Sequence, residues 1–347
     1  MKKILNTSLL ILILLLAVFL TVFSERAADL ARDALRVCAL SVIPALFPYM
    51  VVSNMLVSSE LFKNAICRIP LYKPYGLSKA AVSPIILGAL CGFPVGALTA
   101  VKLYKEGTLS KTEAEVLISC ANNTGPSFVV FVVGASFFKS IPFGWLLYVF
   151  QLVSSFLCAI LVNRVIFPFE KTKSNRISKK GSKPDFFRSV ADSASSMITI
   201  TGFIVFFSVI SGFFLPYVSK ELSPLIASVL EFTGGCRLSA QLGGMKGRFL
   251  AGLSIGWSGI SVFCQTAAFT SREGLSLKRL LCTKALQGIM TGALCTLPIF
   301  NISAAAGAFP EFYEQVSLSF SSSPPAVFSS VVLCVFLIKN LLKGHKY

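Results

Sequence analysis

The chain has 347 residues, of which 54% are hydrophobic and only 14% charged, and its formal net charge is +17. A soluble domain carries roughly a quarter charged residues, so this composition excludes an ordinary soluble protein and predicts an all-α polytopic membrane protein. The basic residues lie in short loops between apolar runs rather than on one soluble face, which argues against nucleic-acid binding.

Two common sequence motifs of catalytic and cofactor sites are missing, because Walker A and HExxH patterns do not occur. The ten cysteines are scattered through apolar segments without a CxxC pair, and the single histidine, His345, is close to the last residue given. We therefore expect no cofactor, no metal site, no disulfide framework and no enzymatic activity.

Apolar runs of membrane length start with residues 4–23. This run is longer than the hydrophobic part of a secretory signal, so it is predicted to be a retained first helix. The other predicted membrane segments are residues 37–57, 84–104, 115–138, 143–167, 197–217, 224–242, 249–270, 280–300 and 327–342.

Two of these segments are better explained as re-entrant hairpins than as crossings. Lysines lie at both ends of 84–104, and its middle, from Gly88 to Gly96, is rich in helix-breaking residues, which predicts a hairpin that enters and leaves on the cytoplasmic side. Segment 224–242, around Thr233-Gly234-Gly235, is predicted to form the outer counterpart.

The positive-inside rule then sets the orientation. About eight transmembrane helices plus two re-entrant hairpins place most of the 32 lysines and arginines, and both termini, on the cytoplasmic side. Lys278, Arg279 and Lys284 belong to this inner set.

The two halves repeat the same order of parts: a Phe-rich helix, a hairpin and a broken helix. The distribution of lysines and arginines gives the two copies opposite orientations in the membrane. The sequence therefore predicts an inverted repeat, as in many secondary transporters. The predicted divisions are an N-terminal transmembrane helix (1–25), a first repeat (26–168), a basic cytoplasmic linker (169–188), a second, inverted repeat (189–303), and an outer loop with a C-terminal transmembrane helix (304–347).

Polar and glycine residues interrupt two of the apolar runs at matching places. The interruptions are Asn122-Asn123-Thr124-Gly125-Pro126-Ser127 and Trp257-Ser258-Gly259-Ile260-Ser261. Non-helical backbone in a bilayer is tolerated only where protein or a water-filled cavity surrounds it, and a matched pair of breaks indicates a transporter's binding site. The predicted solute-binding residues are Asn122, Asn123, Thr124, Gly125, Ser127, Ser258, Gly259 and Ser261, with Gly92, Thr233 and Gly234 from the hairpin tips.

The chemistry of these groups limits the solute. Amides, hydroxyls and free helix ends suit an uncharged or weakly charged polar solute, and without a buried Lys or Arg cluster they suit a di- or triphosphate poorly. The competing interpretation is that the asparagines hold helices together.

Three acidic residues need an explanation. Glu231, in an apolar stretch at the second hairpin tip, is the predicted coupling group for a proton or sodium ion. The alternative is an interfacial acid that pairs with Arg237 or a neighbouring basic residue. Glu113 and Glu115 are explained by overlapping capping boxes that begin at Ser110 and Thr112.

Several strings together resemble a known family. They are Val42-Ile43-Pro44-Ala45-Leu46-Phe47-Pro48, Gly92-Phe93-Pro94-Val95-Gly96-Ala97, Glu113-Ala114-Glu115, Asn122-Asn123-Thr124-Gly125-Pro126-Ser127-Phe128 and Glu231-Phe232-Thr233-Gly234-Gly235-Cys236. With them the chain resembles, over nearly all its length, the YlbJ family of sporulation integral membrane proteins, which carry nucleoside-recognition (Gate) domains. Gate domains are similar to part of the concentrative nucleoside transporters, whose inverted hairpins and broken helices match the predicted plan. The resemblance implies an endospore-forming Gram-positive source, the mother-cell or forespore cytoplasmic membrane, and a role in building the spore cortex.

Two functions follow as hypotheses. The leading one is a secondary transporter or permease of a small polar solute, nucleoside-like or cortex-related. The alternative is a non-transporting scaffold in a cortex-assembly complex, docked through the basic loop 171–183. The expected partners are the lipid bilayer, the solute with sodium or a proton, sporulation membrane proteins and a second copy of the chain, with no nucleic acid.

Overall fold

The computed structural model describes residues 2–59, 61–62, 66, 69–169 and 185–297. Regular structure in these residues is entirely helical, in agreement with the predicted fold class. The described residues up to Thr296 belong to one compact unit. The predicted last helix 327–342, its preceding outer loop, most of the basic linker and the end of segment 280–300 lie outside the described residues.

The α-helices are numbered here in chain order. They are α1 (Lys2–Val22), α2 (Ser24–Val37), α3 (Ile43–Ser58), α4 (Val82–Cys91), α5 (Val95–Lys105), α6 (Lys111–Ala121), α7 (Ile141–Leu161), α8 (Phe186–Phe214), α9 (Ser223–Leu230), α10 (Phe232–Leu242), α11 (Gly244–Trp257), α12 (Gly259–Thr270) and α13 (Lys278–Leu294). Wider, π-helical turns occur at Cys38–Val42, Ser127–Phe137 and Val162–Ile166.

Three helical stretches are long and apolar enough to cross a membrane: Ile141–Ile166, Phe186–Tyr217 and Gly244–Glu273. Shorter apolar helices lie at Ile13–Val22, Leu46–Leu56, Lys79–Cys91 and Ser127–Phe137. The structure therefore supports membrane spans in part, and the number of about eight stays a prediction.

At the positions of both predicted hairpins the structure has pairs of short helices, α4–α5 and α9–α10; that these pairs are re-entrant in a membrane stays a prediction. Each pair packs closely because a glycine removes a side chain between its helices. A methyl group on Gly96 would lie 2.8 Å from the Gly88 Cα, and one on Gly235 would lie 2.6 Å from the Ser228 Cα. The first pair turns through Gly92–Pro94 and the second through Glu231 alone.

The start of α6 confirms one predicted capping box. Ser110 Oγ accepts the Glu113 N–H at 3.2 Å, and a Glu113 carboxylate oxygen accepts the Ser110 N–H at 3.0 Å. The second box is wrong because Thr112 lies inside α6 rather than at its N-cap. Glu115 instead accepts the Ser276 N–H at 2.9 Å, which joins α6 to the loop before α13.

Candidate functional site

The first predicted break separates α6 from the π-helix that follows. Residues 122–125 are not helical. The Asn123 side-chain amide donates to the Cys120 carbonyl, in the last turn of α6, at 2.9 Å. The Asn123 carbonyl accepts the Phe93 N–H at 2.6 Å. The break is thus hydrogen-bonded directly to the tip of the α4–α5 pair.

Glycine permits this contact between backbones. Gly92 has φ +82, and a methyl group there would overlap the Gly125 nitrogen. A methyl group on Gly125 would in turn lie 2.9 Å from the Cys91 carbonyl oxygen. Side chains at either position would separate the tip from the break.

The second predicted break, between α11 and α12, is short and interrupts the helix at Ser258. Ser258 has φ 70 and donates its hydroxyl to the Ile255 carbonyl at 3.2 Å. Gly259 follows with φ +82, and a methyl group on it would lie 3.1 Å from both the Leu230 carbonyl oxygen and the Phe232 nitrogen. The tip of the α9–α10 pair therefore covers the second break as the first tip covers the first.

The two halves meet beside these breaks. The Phe93 and Phe232 rings, one from each tip, have centroids 5.3 Å apart. Across the same region the Asn122 side-chain amide donates to Thr266 Oγ1 at 3.2 Å. The residues predicted from both breaks thus lie in one buried region.

Two further helices, from which no site residue was predicted, also contribute side chains to this region. From α7, Gln151 donates to the Thr124 carbonyl at 2.8 Å and accepts its N–H at 3.3 Å. From α13, Gln287 donates to Asn123 Oδ1 at 3.1 Å and to the Gln151 carbonyl at 3.2 Å. Both glutamines are fully buried. Gln151 thus satisfies both backbone groups of Thr124, and Gln287 links the break to α7 and α13.

Lys284, one turn before Gln287 on α13, is also buried. Its side chain is 3% exposed and its ammonium group lies 3.4 Å from Asn123 Oδ1. Lys284 was counted with the cytoplasmic charges; its side on the membrane stays a prediction, but its side chain is buried rather than exposed. Within the described ranges the ion pairs are Arg32–Asp29, Lys105–Glu273 and Arg188–Asp192, so no described carboxylate neutralises Lys284.

Several buried polar atoms in this region have no hydrogen-bond partner in the described part of the chain. They are Asn122 Oδ1, Thr124 Oγ1, Ser154 Oγ, Thr233 Oγ1, Gln265 Oε1, Thr283 Oγ1 and Gln287 Oε1. A buried polar atom without a partner costs about 1–3 kcal/mol, and most such atoms in proteins are satisfied by protein, water or ligand. The amide oxygens among these atoms can therefore accept hydrogen bonds from a bound molecule.

Glu231 is buried and caps a helix. Its two oxygens accept the N–H groups of Thr233 at 2.9 Å and Gly234 at 2.8 Å, the first turn of α10. Arg237 is exposed, and the two side chains form no ion pair within 4.0 Å. The interfacial ion pair proposed as the alternative is not observed.

The remaining predicted site residues have mixed surroundings. Ser261 is buried and its hydroxyl accepts from the Gln265 side-chain amide at 3.2 Å. Ser127 is half-buried at the start of the π-helix. The predicted set thus lies at the breaks and tips, but Glu231 already occupies the free N–H groups of Thr233 and Gly234.

Comparison with known proteins gives one relative. No family model matches the chain, and no solved structure matches it. The chain is similar to the "Sporulation integral membrane protein YlbJ" of Bacillus subtilis (strain 168), with 23% identity over 81% of this chain and 79% of that protein. This similarity confirms, at modest identity, the resemblance to the YlbJ family. Together with the apolar helices, it identifies the chain as an integral membrane protein.

Proposed function

Taking the chain as a relative of the Bacillus subtilis sporulation protein YlbJ, we propose that it is a sporulation-associated secondary transporter or permease of a small polar solute. The main support is the meeting of two helix breaks, each covered by the tip of a helix pair, beside buried polar atoms without partners in the described residues. Paired breaks in a membrane protein are the usual architecture of a transporter's solute site.

The lengths of the helix pairs support re-entrant hairpins. Their four helices have 10, 11, 8 and 11 residues, so each is about 12–17 Å long at 1.5 Å per residue. The hydrocarbon core of a bilayer is about 30 Å thick. Each pair would therefore reach the middle of the membrane, with its tip at the solute site, and return to the side from which it entered.

The matching contacts in the two halves support an inverted repeat. Gly92 packs against the first break at Gly125, and Phe232 packs against the second break at Gly259. In inverted-repeat transporters, one repeat rocks against the other around a fixed midplane site. The region between the breaks is the corresponding location here.

The unpartnered atoms indicate what the solute must offer. The amide oxygens of Asn122, Gln265 and Gln287 can only accept hydrogen bonds. A solute rich in O–H and N–H groups would satisfy them, whether it is nucleoside-like or a cortex-related metabolite. We retain all the predicted break and tip residues as the proposed binding set.

Glu231 is the proposed coupling group for a proton or sodium ion. In the structure its carboxylate caps α10 through the Thr233 and Gly234 N–H groups. Protonation or cation binding would weaken these charge-assisted bonds. A change in charge at Glu231 would thereby loosen the hairpin tip that covers the second break.

Uptake by the purified chain in proteoliposomes tests the proposal. Nucleosides, amino acids, sugars and dicarboxylates are screened with and without sodium. We expect one class to be accumulated, and we expect Asn123→Ala to reduce its uptake at least tenfold. Asn54→Ala is the matched control, because Asn54 bonds Ser193 from α3, outside the site, and should keep uptake near the native rate.

The scaffold hypothesis predicts a different result. No solute would then bind or be transported, and Asn123→Ala would leave sporulation intact. Neutralising the basic loop 171–183 would instead abolish function. That combination of results would reject transport.

A further inference from the structure

Three basic residues come together where the end of α7 meets the start of α13. Arg164 lies in the π-helical turn that extends α7, and Lys278 and Arg279 begin α13. The two elements are joined directly, because Arg279 Nη1 donates to Asn163 Oδ1 at 2.9 Å and to the Phe167 carbonyl at 2.6 Å. Arg279 is therefore bonded to residues on both sides of Arg164.

The guanidinium group of Arg279 is held in position but is not neutralised. It lies 5.6 Å from the ring centroids of both Phe167 and Phe169, an arrangement that favours a positive charge. Its two hydrogen bonds use Nη1 alone, so Nη2 and Nε have no hydrogen-bond partner within the described part of the chain. Glu115 lies beyond ion-pair distance and accepts the Ser276 N–H instead.

Arg164 and Lys278 are exposed, and each continues an exposed apolar stripe on its own helix. Leu161, 45% exposed, precedes Arg164 by three positions, and Leu281, 44% exposed, follows Lys278 by three positions, so each pair shares one helical face. Arg164 is in the last turn of the apolar stretch Ile141–Ile166, which is long enough to span a membrane. Long basic side chains at the end of such a span reach the lipid headgroups.

The cluster also lacks counter-charges. Among the described residues, the ion pairs involve none of Arg164, Lys278 and Arg279. Arg164 donates from Nη2 to the Pro74 carbonyl at 2.8 Å, which fixes the side chain without neutralising it. Three positive charges therefore lie beside two apolar stripes at the end of a predicted membrane span.

We propose that Arg164, Lys278 and Arg279 bind the phosphate of an anionic phospholipid of the bilayer, whose acyl chains lie along the two apolar stripes. A guanidinium group offers paired N–H donors that match phosphate oxygens, and basic pockets between membrane helices are typical sites for anionic headgroups. The positive charges favour a lipid with a net negative charge, such as phosphatidylglycerol, over the zwitterionic phosphatidylcholine. A free phosphate would leave the apolar stripes unused.

The bound lipid would stabilise the junction between two helices that line the first break. Gln151, on α7, bonds the backbone of Thr124, and Gln287, on α13, bonds Asn123. A headgroup shared by the end of α7 and the start of α13 would hold these two helices together. The inference goes beyond the proposed function, because lipid binding depends neither on the solute nor on transport.

Lipid titration tests the site on the full chain, purified in a neutral detergent and freed of bound lipid. The thermal unfolding temperature is measured with phosphatidylglycerol, with phosphatidylcholine and with glycerol 3-phosphate, which carries a phosphate without acyl chains. A ligand that binds the native state raises this temperature. We expect phosphatidylglycerol to raise it by several degrees more than phosphatidylcholine does, and glycerol 3-phosphate to have little effect.

Charge-neutralising variants locate the effect. Arg164→Gln combined with Lys278→Gln should reduce the difference between the two lipids by at least half, and adding Arg279→Gln should abolish it. Arg26→Gln is the matched control. Arg26 likewise donates to a backbone carbonyl, that of Gly212 at 3.3 Å, and lies 5.5 Å from the Phe213 ring centroid. This control should keep the full difference.

Several results would overturn the inference. Equal effects of the two lipids on the native chain would do so whether or not the variants fold. An undiminished difference after Arg164→Gln with Lys278→Gln would do so too, as would an equal reduction in the Arg26→Gln control. An effect of glycerol 3-phosphate as large as that of phosphatidylglycerol would assign the site to a soluble phosphate. Since no solute is needed, these results are independent of the uptake experiment.

Discussion

Phe93 and Phe232 meet edge to face, with ring centroids 5.3 Å apart and an interplanar angle of 80°. Each ring comes from the tip of a different helix pair, and both are 5% exposed. Phe232 also packs on Phe128, whose ring centroid is 5.1 Å away, in the π-helix that follows the first break. One aromatic cluster thus joins both tips to a break.

Removing the Phe232 ring, which contacts both Phe93 and Phe128, should destabilise the protein. Phe232→Ala leaves a cavity between the tips, so we expect the free energy of unfolding to fall by about 3 kcal/mol or more. Chemical denaturation in detergent measures this change. Phe187→Ala, at a ring that is 83% exposed, is the control and should change stability by less than about 0.5 kcal/mol. Equal losses in the two variants would argue against the cluster.

The close contact of tip and break predicts a strong effect of Gly92→Ala. Alanine at position 92 would have to keep the unfavourable φ of +82, and its methyl group would overlap the Gly125 backbone. Gly107 has a similar φ of +68 but nothing within 4 Å of an added methyl group, so Gly107→Ala isolates the conformational penalty of about 1–2 kcal/mol. We expect Gly92→Ala to cost clearly more, measured as the loss of folded protein after heating. Similar losses would mean that the tip can move away from the break.

Asn123 and Gln287 should be energetically coupled. Their side chains share a hydrogen bond of 3.1 Å in a buried region, and contacting residues typically show interaction energies of about 0.5–3 kcal/mol. A double-mutant cycle with Asn123→Ala and Gln287→Ala measures the coupling in unfolding experiments. Pairing Asn123→Ala with Asn54→Ala provides the uncoupled reference. Additive effects in both cycles would contradict the hydrogen-bond network.

The inverted orientation of the helix pairs predicts their accessibility. Lys105 is the last residue of α5 and Lys220 precedes the α9–α10 pair, and both side chains are exposed. With a membrane-impermeant thiol reagent, Lys105→Cys should react only from the cytoplasmic side and Lys220→Cys only from the outer side. The unmodified chain gives the background from its native cysteines. Reaction of both from one side would reject the inverted repeat.

Some features of the site were predictable because their causes are local. The chain leaves the helix at Asn122–Gly125 and at Ser258, where polar residues, glycine and proline interrupt apolar runs. The cap by Glu113 also follows from spacing along one segment. In contrast, Thr112 and Glu115 have the same spacing without forming a cap, because Ser110 already begins the helix.

The buried position of Lys284 was not predicted from the sequence. In the sequence it follows Lys278 and Arg279 and looks like one more cytoplasmic charge. In the structure it is buried and contacts Asn123, which lies 161 residues earlier in the chain. The spacing of Lys284, Gln287 and Thr291 on one helical face was the available signal, since three polar residues on one stripe of a membrane helix indicate a buried polar contact.

The sequence by itself determined that this is a helical membrane protein with two interrupted helices, because hydrophobicity, helix breaking and capping depend on neighbouring residues. Only the tertiary structure decided that each tip covers a break, that Gln151 bonds Thr124, and that Lys284 and Gln287 bond Asn123. Contacts between different helices depend on how the helices pack, and no periodicity within one segment records that packing.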